Sequence, residues 1–372
     1  MYINKIEIKN FRNYEKQEIE LNPHINIFYG DNAQGKTNIL EAIFISGFGK
    51  SFRTSKEKEM IKLGEDFLEA TVFYQKSDRD GKIKIELCDK KNIFINGNYC
   101  KTVISNKKQI EVNGVKIKKL SELIGKINLV IFTPDDIQIL KSGPEKRRRF
   151  LDMMIGQLRP MYVYILNLYL KTLEQRNNYL KQIKEENKPE SMLEIWDEKL
   201  AEYAEIICKY RTEFIEKLNS KIKEIHSEVT SNSEEIKIEY ITECNNREIY
   251  LQLLKQRRKL DIIKGYTTKG IHRDDFKCII NDKEIEVYGS QGQHRTAILS
   301  LKLAELYVIY DEIGEYPILL LDDFMSELDE KRRKSFLSYI KDTQVIITCT
   351  DKMELDNLNE YKLFNVKNGK II

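Results

Sequence analysis

Consecutive residues near the N-terminus have the types and spacing of a phosphate-binding loop. They are Gly30, Asp31, Asn32, Ala33, Gln34, Gly35, Lys36 and Thr37, and they fit G-x-x-x-x-G-K-[ST]. Glycines let the backbone wrap closely around phosphate, so that successive amide groups point at the anion. The lysine ammonium would hold the β- and γ-phosphates, and the threonine hydroxyl would be a ligand of Mg²⁺. The pattern predicts a nucleoside triphosphate site.

The residues on either side of this loop support the same interpretation. Residues 25–29 have the apolar character of a strand that enters the loop, and residues 38–43 have the pattern of a helix that leaves it. A helix N-terminus at this position adds further amide groups that favour an anion. The alternative is a glycine-containing turn with a solvated lysine, and the strand–loop–helix context argues against it.

A second candidate for nucleotide chemistry lies near the C-terminus. Residues 318–321 are apolar, and Asp322 and Asp323 follow them directly. A buried strand of this kind delivers carboxylates to the C-terminal edge of a parallel sheet. Asp322 would hold Mg²⁺ through water, and Asp323 would orient or polarise the attacking water. Taken alone, the same run would also suit a buried strand followed by a polar turn.

A third segment could supply a second anion site. Ser290, Gly292 and Gln293 form an S-x-G-Q pattern, and the residues after them have helical periodicity. Ser290 could cap this helix, whose N-terminus would then face an anion. An ordinary helix cap explains the pattern equally well when it is considered alone. The order of phosphate loop, S-x-G-Q and apolar-Asp-Asp makes the set more specific.

The elements that must position these residues change character along the chain. Strand-like segments dominate the first part, where Asn96-Gly97 and Asn113-Gly114 predict hairpin turns. From about residue 145 to 228 the periodicity is helical, and strand character returns after residue 270. The pattern predicts an α/β nucleotide-binding fold that is split by a helical insertion. The predicted parts are 1–144, 145–265 and 266–372.

Composition limits the class of protein. The 372 residues carry a net charge of only +3, so a DNA-binding surface would have to be local. The six cysteines are scattered and have no metal-ligand spacing, which favours reduced thiols in a cytosolic protein. The N-terminus has no signal-peptide pattern, and no run approaches the roughly 18 apolar residues of a membrane span. We therefore expect a cytoplasmic protein that does not enter a membrane.

The ordered motifs resemble the head domain of ABC-type ATPases and, within that group, the RecF family of bacterial DNA replication and repair proteins. The resemblance covers essentially the whole chain. The segments that carry it are 10–14, 30–37, 49–54, 144–152, 271–275, 290–293 and 320–329.

The resemblance implies an ATP- and Mg²⁺-dependent switch. In this family the segment of Ser290, Gly292 and Gln293 completes the phosphate loop of a second molecule, so two chains would bury two ATP molecules. Residues 326–329 would cross the dimer seam, and the region of Arg12 would lie beside the nucleotide. Loss of the γ-phosphate on hydrolysis would open the dimer. The implied partners are single-stranded DNA or a duplex–single-strand junction, RecO and RecR, in recombinational repair and SOS induction.

The chain departs from the pattern of transporter-type relatives. Asp323 stands where they usually carry Glu, and the shorter reach suggests slow turnover. No histidine occupies the switch position, so either Thr348 or Thr350 replaces it or the γ-phosphate sensor is absent. Gln138 is near the Q-loop position but follows Pro134 in a predicted helix, which leaves the Q-loop glutamine unassigned.

Other function classes remain to be distinguished. The ATPase subunit of a transporter would sediment with membranes rather than with DNA. A scaffold that only binds ATP would show no single-turnover hydrolysis. The presence of both Asp322 and Asp323 argues against such a scaffold.

Three consecutive arginines, Arg147, Arg148 and Arg149, would point in different directions around a helix, so they cannot all face one ligand. The run from His272 to Asp275 suits either a relay to DNA or a charge-paired turn.

Overall fold

Apolar runs of the sequence form the central strands in the computed structural model, which describes residues 1–77, 79–95, 98–323, 330–340, 342–351 and 361–372. The strands are β1 (Tyr2–Phe11), β2 (Tyr14–Glu20), β3 (Ile25–Tyr29), β4 (Phe67–Lys76), β5 (Arg79–Ile95), β6 (Asn98–Val112), β7 (Val115–Lys116), β8 (Leu129–Phe132), β9 (Ile236–Ile241), β10 (Asp275–Ile280), β11 (Lys283–Glu284), β12 (Ile318–Asp322), β13 (Val345–Cys349), β14 (Tyr361–Lys367) and β15 (Lys370–Ile371).

The helices of the described residues include long ones in the segment from about 145 to 228, where the sequence has helical periodicity. They are α1 (Lys36–Phe48), α2 (Ile137–Lys141), α3 (Pro144–Leu158), α4 (Pro160–Glu186), α5 (Leu193–Val229), α6 (Arg247–Lys264), α7 (Ile285–Tyr288), α8 (Gln291–Ile313) and α9 (Glu330–Tyr339). None of the described helices has both the length and the apolar character of a membrane span.

The chain clusters into two units by its internal contacts. The first contains Met1–Pro134 and Ile309–Ile372, and the second contains Asp135–Val308. These limits differ from the predicted boundaries at 144/145 and 265/266. Residues 266–308 belong with the helices, since β10 pairs with β9 and packs on α3. Sequence periodicity could not show this, because it does not report which elements pack together.

A parallel sheet in the first unit carries the predicted nucleotide motifs. Its order is β15-β14-β3-β13-β12-β8, and β14, β3, β13, β12 and β8 pair in parallel. β8 and β13 are fully buried, and β3 and β12 are buried up to their last residues. Such continuous apolar runs are typical of parallel strands that are covered on both faces. Their carboxyl ends lie at one edge, which is where the phosphate loop begins.

An antiparallel sheet forms the other layer of the first unit, with the order β2-β1-β4-β5-β6-β7. Asn113 and Gly114 both have positive φ and join β6 to β7, which confirms the predicted hairpin turn. The other predicted turn, at 96–97, lies outside the described residues. α1 contacts strands of both sheets and is buried along most of its length. The helix that leaves the phosphate loop is therefore fixed by a core on two sides.

The second unit consists of helices packed around a small sheet of the order β11-β10-β9. α5 runs from Leu193 to Val229 and contacts α4, α6 and β9. Arg176 of α4 is fully buried, and its guanidinium donates to Asp197 at 2.7 Å and to Asp261 at 2.8 Å. Buried charges are tolerated when they are paired in this way. The predicted α/β fold with a helical insertion is confirmed.

Candidate nucleotide-binding site

The phosphate loop follows β3 and has the backbone conformation that its glycines permit. Gly30 has φ 145° and Gly35 has φ 117°, a region that side chains rarely adopt. A Cβ at Gly30 would lie 2.4 Å from the Val366 carbonyl oxygen, and one at Gly35 would lie 2.7 Å from the Asn13 amide group. Both glycines are thus required by dihedral angle and by close approach. The loop ends at Gly35, which is the N-cap residue of α1.

Lys36 is folded into this loop rather than into solvent. Its side chain is buried, and Nζ donates to the carbonyl oxygens of Gly30 and Asp31, the latter at 3.0 Å. These carbonyl groups hold the ammonium at the N-terminus of α1, where amide groups favour an anion. The arrangement fits a lysine that meets phosphate.

Thr37, Asp322 and Thr348 meet at the carboxyl edge of the parallel sheet. Thr37 Oγ1 donates to Asp322 Oδ1 at 2.7 Å, and Thr348 Oγ1 lies 2.8 Å from the same oxygen. The register explains the meeting, because Thr348 of β13 pairs with Asp322 of β12. Hydroxyl and carboxylate oxygens are suitable ligands for Mg²⁺. Thr37 and Asp322 therefore fit the predicted metal ligands.

Asp323 follows β12 in a left-handed backbone conformation, with φ 48°. Its amide donates to Thr348 Oγ1 at 3.0 Å, which fixes the turn. Burial raises the pKa of the Asp323 carboxyl, the Lys36 ammonium opposes this effect, and the Asp322 carboxylate adds to it. A half-buried carboxylate close to the lysine of the loop suits the orientation of a water molecule.

Thr348→Val is expected to slow ATP hydrolysis about tenfold, because Asp322 and the Asp323 amide lose their shared hydroxyl. The valine has nearly the same shape, so the main loss is of hydrogen bonds. Single-turnover hydrolysis measures the effect. Thr350→Val is the matched control, since the Thr350 hydroxyl is exposed and bonds to Asp351 at 3.2 Å. A larger effect at Thr350 would contradict this role for Thr348 and favour Thr350 as the γ-phosphate sensor.

The hairpin between β1 and β2 supports the phosphate loop. No sequence pattern predicted this contact. Asn13 Nδ2 donates to the Gln34 carbonyl oxygen at 2.7 Å, and the Tyr14 hydroxyl donates to that of Gly35 at 3.2 Å. Asn38 of α1 donates to Asn13 Oδ1 at 2.8 Å. Residues 10–14 form one of the motifs that resemble the family, but their spatial role depends on the pairing of β1 with β2.

The C-terminal hairpin supports the same loop. The Asn368 amide donates to Gln34 Oε1 at 2.7 Å, and the Gly369 amide donates to the Gln34 carbonyl oxygen at 3.0 Å. Asn368 and Gly369 both have positive φ and join β14 to β15. An Asn-Gly pair is a strong hairpin signal, so the turn could have been predicted from sequence. Its contact with the loop could not.

Arg12 forms an ion pair with a buried glutamate of α1. Its Nε and Nη2 donate to the two carboxylate oxygens of Glu41 at 2.8 and 2.7 Å, and Nη1 donates to the Glu59 carbonyl oxygen. Glu41 is fully buried and also accepts from Ser51, while Arg53 lies 3.5 Å away. The guanidinium thus has a structural partner, and a contact with nucleotide stays a prediction.

Arg12→Met is expected to lower the free energy of unfolding by roughly 3 kcal/mol, because it leaves the buried Glu41 carboxylate without its bidentate partner. The double variant Arg12→Met with Glu41→Gln should recover most of this loss. Urea unfolding and ATP binding are measured separately. Reduced ATP affinity with unchanged stability would contradict the structural role and support a nucleotide contact.

The S-x-G-Q segment lies in the second unit and forms a reciprocal cap at the start of α8. The Gln293 amide donates to Ser290 Oγ at 3.2 Å, and the Ser290 amide donates to Gln293 Oε1 at 2.9 Å. Gln293 Nε2 also donates to Glu234 at 2.9 Å. Ser290 and Gly292 are exposed. The predicted cap is confirmed, and its helix N-terminus faces solvent in the single chain.

Other residues that the sequence analysis singled out have structural partners in the second unit. Arg147 donates to both carboxylate oxygens of Asp275 at 2.6 and 2.9 Å, and Arg148 donates to the Asp274 carbonyl oxygen at 2.7 Å. His272 Nδ1 lies 2.8 Å from the Tyr169 hydroxyl. Burial lowers the pKa of His272 to about 4. These contacts favour the charge-paired turn over a relay to DNA.

The segment 326–329, which was predicted to cross a dimer seam, lies outside the described residues.

Comparison with known proteins places these features in a family context. Residues 2–371 match the family model described as the RecF/RecN/SMC N terminal domain. The chain is 44% identical over 380 residues to the DNA replication and repair protein RecF of Clostridium perfringens, covering 100% of this chain and 99% of that protein. The resemblance predicted from the motifs is confirmed.

Solved structures show the same relationship. A structure of the recombination mediator protein RecF-ATP in the RecFOR pathway aligns with this chain at a TM-score of 0.89 and 40% identity. The alignment covers 100% of this chain and 97% of that chain. The corresponding RecF-ATPrS structure has a TM-score of 0.88 and 39% identity, with the same coverage. Both alignments span the whole of this chain.

Proposed function

This chain belongs to the RecF/RecN/SMC N-terminal domain family, and from that membership we propose that it is an ATP-dependent DNA-binding switch in DNA replication and recombinational repair. The observation that carries the proposal is the meeting of Lys36, Thr37, Asp322 and Asp323 at one edge of the parallel sheet. A helix N-terminus, a cation, two metal-binding oxygens and a water-orienting carboxylate are the parts that ATP hydrolysis requires.

Each of these residues has a separate task at the triphosphate. Lys36 and the loop amides hold the β- and γ-phosphates, and the two glycines allow the backbone to approach. Thr37 and Asp322 would hold Mg²⁺, which neutralises phosphate charge when it is bound. Asp323 accepts a hydrogen bond from the water that attacks the γ-phosphorus. Aspartate has a shorter side chain than glutamate, which supports slow hydrolysis and a timed switch.

The capped N-terminus of α8 supports a dimer that closes on ATP. Ser290, Gly292 and Gln293 would complete the phosphate loop of a second copy, and each chain supplies one loop and one such segment. Exposure of Ser290 and Gly292 leaves their side of the helix available to an anion. Hydrolysis removes the γ-phosphate from both shared sites and with it the charge-assisted hydrogen bonds that hold the dimer. DNA would be retained in the closed state and released in the open one.

Family membership supports the choice of nucleic acid and partners. We propose binding to single-stranded or gapped DNA, at duplex–single-strand junctions, and action with RecO and RecR in recombinational repair and SOS induction. The RecF structures of the RecFOR pathway are the basis for the two partners.

Sedimentation velocity tests the switch directly. The wild-type protein is expected to form a dimer with Mg²⁺ and a slowly hydrolysed ATP analogue, to retain gapped duplex DNA in that state, and to be a monomer with Mg²⁺-ADP. Intact duplex without a gap is the control for DNA structure. A monomer that binds the analogue would remove the shared-site mechanism and leave Ser290 as an ordinary helix cap.

A further inference from the structure

A cleft in the second unit has no role in the function proposed above. It encloses about 410 Å³, a volume within the range of small-ligand sites. The lining comes from the end of β9, the end of α6 and the loop between α6 and β10. The lining residues are Ile241, Thr242, Glu243, Lys264, Tyr266, Thr268, Lys269, Gly270, Arg273 and Asp274.

Two cations flank an exposed aromatic ring in this cleft. Lys264 Nζ lies 6.0 Å and the Arg273 guanidinium carbon lies 5.8 Å from the centre of the Tyr266 ring. Tyr266 as a whole is 40% exposed although its side chain is large and aromatic. Within the described part of the chain, neither Lys264 nor Arg273 forms an ion pair. Both charges are therefore available to an anion beside the ring.

The loop that carries the ring is held by buried polar groups. Thr268 donates to Asp261 Oδ1 through its amide at 3.0 Å and its hydroxyl at 2.6 Å. Asp261 is fully buried. The Tyr250 hydroxyl donates to the Lys269 carbonyl oxygen at 3.0 Å. A Cβ at Gly270 would lie 2.1 Å from that hydroxyl, so the loop packs directly on it. The cleft is thus preformed, which reduces the entropy lost on binding.

The remaining polar groups of the cleft suit a ligand that has hydrogen-bond donors as well as a negative charge. Glu243 pairs with Lys269, with Nζ–Oε distances of 2.6 and 2.8 Å. Its carboxylate provides acceptors for N–H groups of a ligand. The side chains of an acidic peptide carry no flat ring that would stack on Tyr266. A nucleotide combines a flat base with ring and amino N–H groups and one adjacent phosphate. Base stacking on tyrosine beside cations is a common way to bind single strands.

We propose that this cleft binds one nucleotide of a single strand, with the base stacked on Tyr266 and its phosphate between Lys264 and Arg273. The proposal rests on the DNA binding of the proposed function and deepens it. All residues of this cleft lie in the second unit, whereas the phosphate loop lies in the first. Nucleotide in the cleft would be recognised by its ring and one phosphate, without the triphosphate or Mg²⁺.

Photocrosslinking with an oligodeoxythymidine that contains one 5-iododeoxyuridine tests the proposal. Irradiation of the full-length protein is expected to crosslink the iodinated base to Tyr266, as located by mass spectrometry. Tyr266→Ala should weaken binding of the labelled oligonucleotide about tenfold, and Tyr266→Phe should retain it, because stacking needs the ring and not the hydroxyl. Arg273→Ala should weaken binding and make it less sensitive to salt.

Lys255→Ala is the matched control, since it removes an exposed positive charge from the same helix α6. It should change affinity by less than about twofold. Thermal unfolding of each variant checks that the protein is folded. Unchanged affinity of Tyr266→Ala, with crosslinks elsewhere, would overturn the cleft proposal while DNA binding itself stands. Stronger competition by polyglutamate than by oligodeoxythymidine would assign the cleft to an acidic peptide instead.

Titration with free thymidine monophosphate distinguishes a free nucleotide from a nucleotide within a DNA strand as the ligand of the cleft. The monophosphate is titrated into the Lys36→Met variant, in which the phosphate loop is disabled, and binding is followed by calorimetry with and without Tyr266→Ala. Binding that depends on Tyr266 and blocks the crosslink would identify a free nucleotide as a ligand. Crosslinking that the monophosphate does not block would identify the strand. If the wild-type protein bound neither DNA nor the monophosphate, both the proposed function and the cleft proposal would fail.

Discussion

Lys36→Met is expected to lose ATP-dependent dimerisation. Methionine fills the same space but carries no charge for the β- and γ-phosphates, so ATP affinity should fall roughly a hundredfold. Without bound ATP, the γ-phosphate cannot join the phosphate loop to the Ser290 segment of a second copy. Equilibrium binding of a fluorescent ATP analogue and sedimentation with Mg²⁺-ATP measure the two effects.

The stability of the Lys36→Met variant should stay close to that of the wild type. Lys36 is buried and donates only to carbonyl oxygens in the described residues, so its removal breaks no hydrogen bond to a carboxylate there. Lys16→Met on β2 is the control, because Lys16 is exposed and outside the loop. A Lys36→Met protein that binds ATP and dimerises like the wild type would contradict the role of the loop lysine.

Asp323→Asn is expected to retain ATP and hold the protein as a dimer. The amide is a weaker acceptor for the attacking water, so hydrolysis should fall by roughly a hundredfold to a thousandfold. Sedimentation with Mg²⁺-ATP should show a persistent dimer where the wild type returns to monomer. Hydrolysis at the wild-type rate would show that Asp323 does not orient the water.

The pH dependence follows from the environment of Asp323. Burial raises the pKa of this carboxyl, so it takes up a proton at a higher pH than an exposed aspartate. Since water orientation requires the carboxylate, wild-type hydrolysis should decrease as the pH falls through that raised pKa. The Asn variant, measured over the same acidic range, should lack this part of the profile.

The same pKa shift predicts the stability of the Asp323→Asn variant. A raised pKa in the folded state means that the carboxylate destabilises the fold above that pKa, and this cost disappears as the pH falls. The neutral amide removes the cost, and asparagine tolerates the φ of 48° at this position. At neutral pH the nucleotide-free variant should therefore unfold at the same temperature as the wild type or slightly higher. A large loss of stability would contradict the destabilising effect of the carboxylate at neutral pH.

The candidate site was predictable where its parts are local in sequence. The residues from Gly30 to Thr37 form one continuous loop, and Asp322 and Asp323 end one apolar strand. Their meeting followed from a general rule, because parallel strands place their carboxyl ends at one edge. The contacts of Asn13 and Gln34 were not predictable, since they join a hairpin to a loop that only the fold brings together.

Arginines show most clearly what a sequence pattern cannot decide. Arg12 and Arg147 occur in motifs that resemble those of a family that binds nucleotide and DNA. In the structure each guanidinium forms a bidentate ion pair, with Glu41 and Asp275 respectively. Sequence gives the charge of such a side chain but not its partner, because the partner lies far along the chain. By contrast, no motif indicated the cleft beside Tyr266.

The sequence by itself determined the class of fold and the family, and it predicted the residues of the candidate nucleotide site. Hydrophobic periodicity and glycine spacing are local, and a triphosphate needs few residue types in a fixed order. Only the tertiary structure decided that residues 266–308 pack with the helical unit, that Thr348 joins the two aspartates, and that the loop is braced by both hairpins. These contacts depend on strand register and on packing between distant segments, which chain order alone does not fix.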